Sequence, residues 1–243
     1  MAHDSHEHDA HVYVPEIAID RDGKEHVVQG WQGDYEGGKL GFWLFMLTEV
    51  LMFGAMFMVL TYYFTLHHQD FINASAGLNR VLGGVNTVVL LFSALTMGLG
   101  LLKMRSGDVK GAKLMIWATM FLAAVFLGVK AVEWTAEYHH GIFLGLDALQ
   151  SGNEHSKPFG EILFFGMYFT MTGLHGFHII IGIGLMLWLL KRINSGKVTP
   201  EHNILHFNIA LYWDLVHLIW VFVFPYFYMI GAGDIAGGVI HGH

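Results

Sequence analysis

The chain has 243 residues, 54% of them hydrophobic and only 14% charged, whereas soluble proteins carry about a quarter charged residues. It contains no cysteine, which excludes disulfides, iron–sulfur clusters, Cys-ligated zinc and thiolate catalysis. The formal net charge of −7 arises mostly from acids in the N-terminal segment and one loop, so it says little about partners.

Residues 1–38 are polar and acidic with no apolar h-region, so no signal peptide is expected. Residues 1–11 form a His/Asp segment without an apolar face, expected to be disordered. His3, His6, His8 and His11 are candidate ligands for copper, nickel or zinc, with a solvated tail as the plain alternative. Residues 12–28 alternate apolar and polar around Asp22-Gly23, a hairpin-type turn signal.

Five apolar runs follow, at Leu40–Leu66, Val81–Leu102, Leu114–Trp134, Glu161–Leu190 and Phe207–Ile230. Each is long enough to cross about 30 Å of hydrocarbon, which takes roughly 20 residues. The expected fold is therefore all-α, a polytopic bundle of five transmembrane helices. Three parts are expected: a cytoplasmic extension (1–38), the membrane domain (39–231) and a C-terminal tail (232–243).

The basic residues give the orientation. Arg21, Lys24, Lys39, Lys103, Arg105, Lys110, Lys113, Lys191, Arg192 and Lys197 fall on one side, and Arg80 and Lys157 on the other. By the positive-inside rule the N-terminus is cytoplasmic and the C-terminus periplasmic. The loop 139–158 is the sizeable extramembrane piece on the outer side. Trp134, Tyr138, Trp188, Tyr226 and Tyr228 sit near predicted helix ends and read as an aromatic belt.

Several ionisable residues lie deep in these runs, where each costs roughly 2.5–3.5 kcal/mol on insertion scales. Glu49 is about 14 Å in from Leu40, and His178 is about 18 Å in from Leu190, at 1.5 Å per residue. Asp214 and His217 lie about 10–15 Å beyond Phe207. Residues three apart share a helix face, which pairs His175 with His178 and Asp214 with His217. An intramembrane polar cluster facing the bundle interior is expected, with Glu49 held by a histidine. The bland reading is that these groups only join helices, and ligation of haem or metal by the histidine pairs is the sharper one. Gly173, Gly176, Gly182 and Gly184 mark close helix approach. Glu133 and Lys130, three apart, are expected to pair near the outer end of their helix.

With these residues in view, the chain resembles subunit III of the haem–copper oxidases over roughly residues 39–230. The family's Ser-Glu-Val reads here as Thr48-Glu49-Val50, and its Asn-Thr helix opening as Asn86-Thr87. Its Glu-aromatic helix end matches Glu133-Trp134, and its Gly-x-His-Gly-x-His segment is "GLHGFH", Gly173 to His178. The last helix carries "YWDLVHLIW", Tyr212 to Trp220, with the family's His and Asp positions exchanged. Two N-terminal helices of larger members have no counterpart, which leaves the lipid cleft they frame in doubt.

The resemblance implies a subunit with no catalytic residues and no redox cofactor of its own. Haem and copper are then expected in subunit I, electron entry in subunit II, and bound phospholipid along this chain. Glu49, His175, His178, Asp214, His217, Asn86 and Glu133 are the family-signature or buried polar positions. The implied function is support of subunit I stability and proton uptake in a cytochrome c oxidase of the bacterial inner membrane. Subunits I and II, membrane lipids, and cytochrome c or a larger respiratory assembly are the implied partners, without nucleic acid. The alternatives are an accessory subunit of a nitric oxide reductase and an independent transporter.

Overall fold

The computed structural model describes the backbone of residues 16–19, 25–28, 32–139, 158–200 and 203–230, and side chains within 40–136, 158–200 and 203–230. The histidines of the N-terminal tail, the Asp22-Gly23 turn, most of the loop 139–158, the Tyr138 side chain and the C-terminal tail lie outside these residues.

The alternating segment forms a hairpin, with β1 (Glu16–Ile19) and β2 (Glu25–Val28) paired antiparallel and Ile17 opposite Val27. It belongs with residues up to Leu47 to one compact unit; residues from Thr48 onward form a second.

The helices in chain order are α1 (Gln32–Leu66), α2 (His68–Ala76), α3 (Arg80–Arg105), α4 (Val109–His139), α5 (Phe159–Asn194) and α6 (Ile204–Phe224). Among the described residues, five spans are long and apolar enough to cross a membrane: Leu40–Leu66, Arg80–Arg105, Val109–Ala136, Phe159–Asn194 and Ile204–Met229. The all-α, five-span expectation is met. Helices α1, α3, α4 and α5 are longer than their apolar runs, because backbone groups leaving hydrocarbon still find intrahelical partners for a turn or two, whereas α6 stops at Phe224, short of the end of its run.

Two features go beyond what the apolar runs announced. Helix α2 is nine residues, "HQDFINASA", half of them polar. Its apolar side, with Phe71 and Ile72, is buried against the bundle. The second feature ends α6, where Pro225 has no N–H to continue the ladder. The chain continues as a π-helical turn, Pro225–Met229. Ser75 of α2 donates from Oγ to the Phe227 carbonyl of this turn at 2.8 Å.

The α3–α4 hairpin turns at Gly107, whose φ of +86° favours glycine. Asp108 then caps α4, its carboxylate accepting from the Gly111 N–H at 2.8 Å and from Lys103 Nζ at 3.0 Å. Those two bonds, the Gly111 N–H first, hold the Asp108 carboxyl below its ordinary value.

Helix α6 packs on both α3 and α5. A Cβ added at Gly182 of α5 would lie 2.5 Å from the Trp213 ring of α6, so glycine permits that approach. Gly173 similarly receives Trp134 at 3.1 Å, whereas Gly184 has nothing within 4 Å and serves no close approach.

Candidate functional site

Glu49 lies about a third of the way along the Leu40–Leu66 span of α1, and His178 reaches it from α5. His178 Nε2 is 2.7 Å from Glu49 Oε2, while Nδ1 is 2.7 Å from the Leu174 carbonyl. A carbonyl only accepts, so Nδ1 carries a hydrogen and Nε2 faces the carboxyl. One proton is then shared along the Oε2–Nε2 axis, and the pair has no net charge whichever atom holds it. That suits a low-dielectric interior, where an isolated charge is costly. Phe53 packs edge-on to the His178 ring with centroids 5.5 Å apart, and Tyr212 donates from its hydroxyl to the His178 carbonyl at 2.9 Å.

The other expected members go elsewhere. His175 is fully buried between Trp220 (centroids 4.9 Å) and Phe126 (5.8 Å), and neither ring nitrogen has a hydrogen-bond partner. His217 is also buried, but turns to α3. Its Nδ1–H donates to the Trp213 carbonyl at 2.6 Å, and Nε2 meets Ser93 Oγ at 2.7 Å. Asn86 donates from Nδ2 to the Phe126 carbonyl at 3.4 Å.

Asp214 corrects the sequence reading. It is exposed on the outside of the chain while His217 is buried. Three residues advance a helix by about 300°, leaving the two side chains about 60° apart. That angle suffices to put one within the bundle and the other outside it.

A second polar cluster sits toward the opposite end of the bundle. Lys130 and Glu133, only 7% and 5% exposed, pair at 2.8 Å inside the bundle. Lys130 Nζ also donates to Tyr228 Oη at 2.5 Å and, at 3.4 Å, to Tyr168 Oη. The Tyr228 hydroxyl in turn donates to Glu133. The ammonium stands 4.7 Å from the Trp220 ring centroid and 4.9 Å from that of Tyr228, a cation–π setting. Tyr228 is thus a buried partner and no member of an aromatic belt. The i,i+3 spacing announced the Lys130–Glu133 pair, but nothing local in sequence announced Tyr168, which comes from another helix.

Among the described residues, no three His, Cys, Asp or Glu side chains converge to hold a metal ion. The arrangement offers two neutralised polar clusters at different depths.

The sequence model of cytochrome c oxidase subunit III matches residues 24–232, most of the chain. The chain belongs to the cytochrome c oxidase subunit III family. It is 30% identical over 201 residues to quinol oxidase subunit 3 of Bacillus spizizenii, covering 81% of this chain and 88% of that protein. The cytochrome bo(3) ubiquinol oxidase subunit 3 of Pseudomonas aeruginosa is also 30% identical, over 79% of this chain and 84% of its own. Cytochrome c oxidase subunit 3 of Alkalihalophilus pseudofirmus is 27% identical over 80% and 87%. Membership makes the chain a multi-pass membrane subunit of a respiratory terminal oxidase, assembled with other oxidase subunits.

Proposed function

We propose that this subunit III supports proton uptake and the stability of subunit I in an oxygen-reducing, proton-translocating oxidase, and performs no redox step itself. The observation that carries this reading is the Glu49–His178 contact of 2.7 Å within membrane-crossing helices. It is a proton-sharing pair held between α1 and α5. Haem and copper then belong to subunit I. The basic residues orient the chain with its N-terminus in the cytoplasm of a bacterial inner membrane.

The electron donor is the finer question. The resemblance names a cytochrome c oxidase but leaves the donor open between cytochrome c and a quinol; the Bacillus spizizenii and Pseudomonas aeruginosa relatives are quinol oxidase subunits and favour a quinol. An apolar cavity of about 270 Å³ between α4 and α5, rimmed by Phe177 and Ile180, is where we place a phospholipid acyl chain.

The test is purification of this chain in mild detergent, followed by a reduced-minus-oxidised spectrum and turnover with quinol and with reduced cytochrome c. A- or o-type haem with oxygen consumption supports the oxidase reading, and the preferred donor decides between the two names. Only b- and c-type haem with nitric oxide turnover would replace it with a nitric oxide reductase. Phospholipid retained by wild type and lost with a bulky residue at Gly176 would support the lipid site.

A further inference from the structure

Of the five spans, that of α6 is the most buried within the chain, 56% against 17% for α1. Yet one stripe of α6 is uncovered. Asp214, Leu218 and Val221 are all exposed, and their spacing of i, i+4 and i+7 places them on one face. Asp214 makes no hydrogen bond or ion pair with any described residue.

Two histidines and two cations among the described residues are committed elsewhere. His217 is held by Trp213 and Ser93, and His178 by Leu174 and Glu49. Arg105 lies over the Phe207 ring, and Lys103 bonds Asp108.

The depth of Asp214 makes this exposure informative. It lies ten residues beyond Ile204 in the span, about 15 Å along the helix at 1.5 Å per residue. Long lysine and arginine side chains can snorkel from such depths to the interface; the short aspartate stem cannot. Nor can α6 turn the carboxyl inward, since Trp213 and His217 bond Ser93, and Trp220 donates to Thr87 at 3.0 Å. Those bonds hold the adjoining face of α6, about 60–120° around the helix from Asp214, against α3. A fixed carboxylate in hydrocarbon calls for a cationic partner, and none comes from the described residues.

We propose that the Asp214–Leu218–Val221 stripe is the docking face for a transmembrane helix of a partner oxidase subunit. That helix presents an arginine, lysine or protonated histidine at the depth of Asp214. Leu218 and Val221 supply the apolar contact, and Asp214 fixes register by pairing with the cation. The inference rests on the oxidase-subunit reading and adds to it which face of this chain meets the complex and through what chemistry.

The test uses the full complex in native membranes. A photoreactive benzoylphenylalanine replaces Leu218 in one variant and Val221 in another, with one at exposed Phe121 of α4 as a comparison site. Irradiation is followed by mass spectrometry of the adducts. The expected result is capture, at both stripe positions, of a partner membrane helix carrying Arg, Lys or His within one turn of the captured residue. Adducts to lipid alone, to a second copy of this chain, or to a helix without such a group would overturn the proposal.

A second variant reads the charge itself. Asp214→Leu should cause loss of this subunit from the detergent-purified complex, whereas a lipid-facing position would accept leucine with equal or better retention. The haem spectrum of the wild-type preparation is recorded alongside. Lipid-only adducts in a haem-bearing complex defeat the docking face and leave the oxidase reading standing. A haem-free preparation defeats the oxidase reading, and with it a partner oxidase subunit as the occupant.

Discussion

At the level of single residues, the two buried pairs make different demands. Lys130 and Glu133 form a closed set of charge-assisted bonds with Tyr228. Removing one member strands the other, which costs roughly 3–5 kcal/mol for a buried pair, whereas replacing both with apolar groups of similar volume is far milder. Lys130→Met alone should therefore lower the unfolding midpoint of the purified protein sharply. Lys130→Met with Glu133→Leu should recover most of that loss. A double variant no better than the single would show that the cluster adds no coupling of its own. Glu49 differs because its partner His178 can stay neutral. In Glu49→Ala the imidazole keeps its bond to Leu174 and no bare charge is left behind. The expected outcome is haem content close to wild type with oxygen turnover that declines sooner under sustained assay; loss of haem from the complex would contradict it.

At the level of elements, helix packing depends on a few small contacts that can be removed singly. Gly182 admits the Trp213 ring, and a Cβ there would stand 2.5 and 2.8 Å from its atoms. Overpacking of this kind costs about 1–3 kcal/mol. Gly182→Ala should lower thermal stability in detergent, while Gly184→Ala, with open space around it, should not. The Asp108 cap gives a pH signature. Its folded carboxyl titrates below the ordinary value, so its contribution is fully present above about pH 3.9, the unfolded value. It is lost as pH falls through the lower folded value. Amide exchange at Gly111 should accelerate on that descent in wild type and stay fast at all pH values in Asp108→Ala.

These same elements mark what the sequence could and could not tell. The five spans were legible because hydrocarbon forces backbone groups to bond within each segment, so apolar length alone locates a helix. Helix α2 was not, since nine half-polar residues carry no such signature. The Glu49–His178 contact was legible as two ionisable groups at comparable depth on antiparallel helices. Asp214 was misplaced because a shared helix face spans a wide arc, and only the packing of Trp213 and Trp220 decides where that arc ends. The tyrosines around Lys130 come from α5 and the π-helical turn, and nothing local to α4 points to them.

Across the whole helical unit, burial is unevenly distributed, and α1 is the span with least cover from its own chain. Past Thr48, its polar links to the rest of the unit include Glu49 with His178 at 2.7 Å and Thr61 with Tyr226 at 2.9 Å. Between them Phe57 meets Phe222 with ring centroids 6.3 Å apart. Lipid tails are as apolar as these side chains, so burial alone gives α1 little reason to stay on α6 rather than drift into the bilayer. Packing and the two polar links must hold it, each contributing around 1 kcal/mol. The chain has no cysteine, which makes the seating of α1 measurable. Phe57→Cys with Phe222→Cys should be joined readily by a short bifunctional maleimide, seen as a gel-mobility shift. Adding Glu49→Leu and Thr61→Val removes both links and leaves the apolar surface in place. If the polar links seat α1, cross-linking should slow several-fold, in line with a loss of about 1–2 kcal/mol. An unchanged rate would mean that van der Waals packing alone positions the helix, and that the proton-sharing pair at Glu49 serves function without serving assembly.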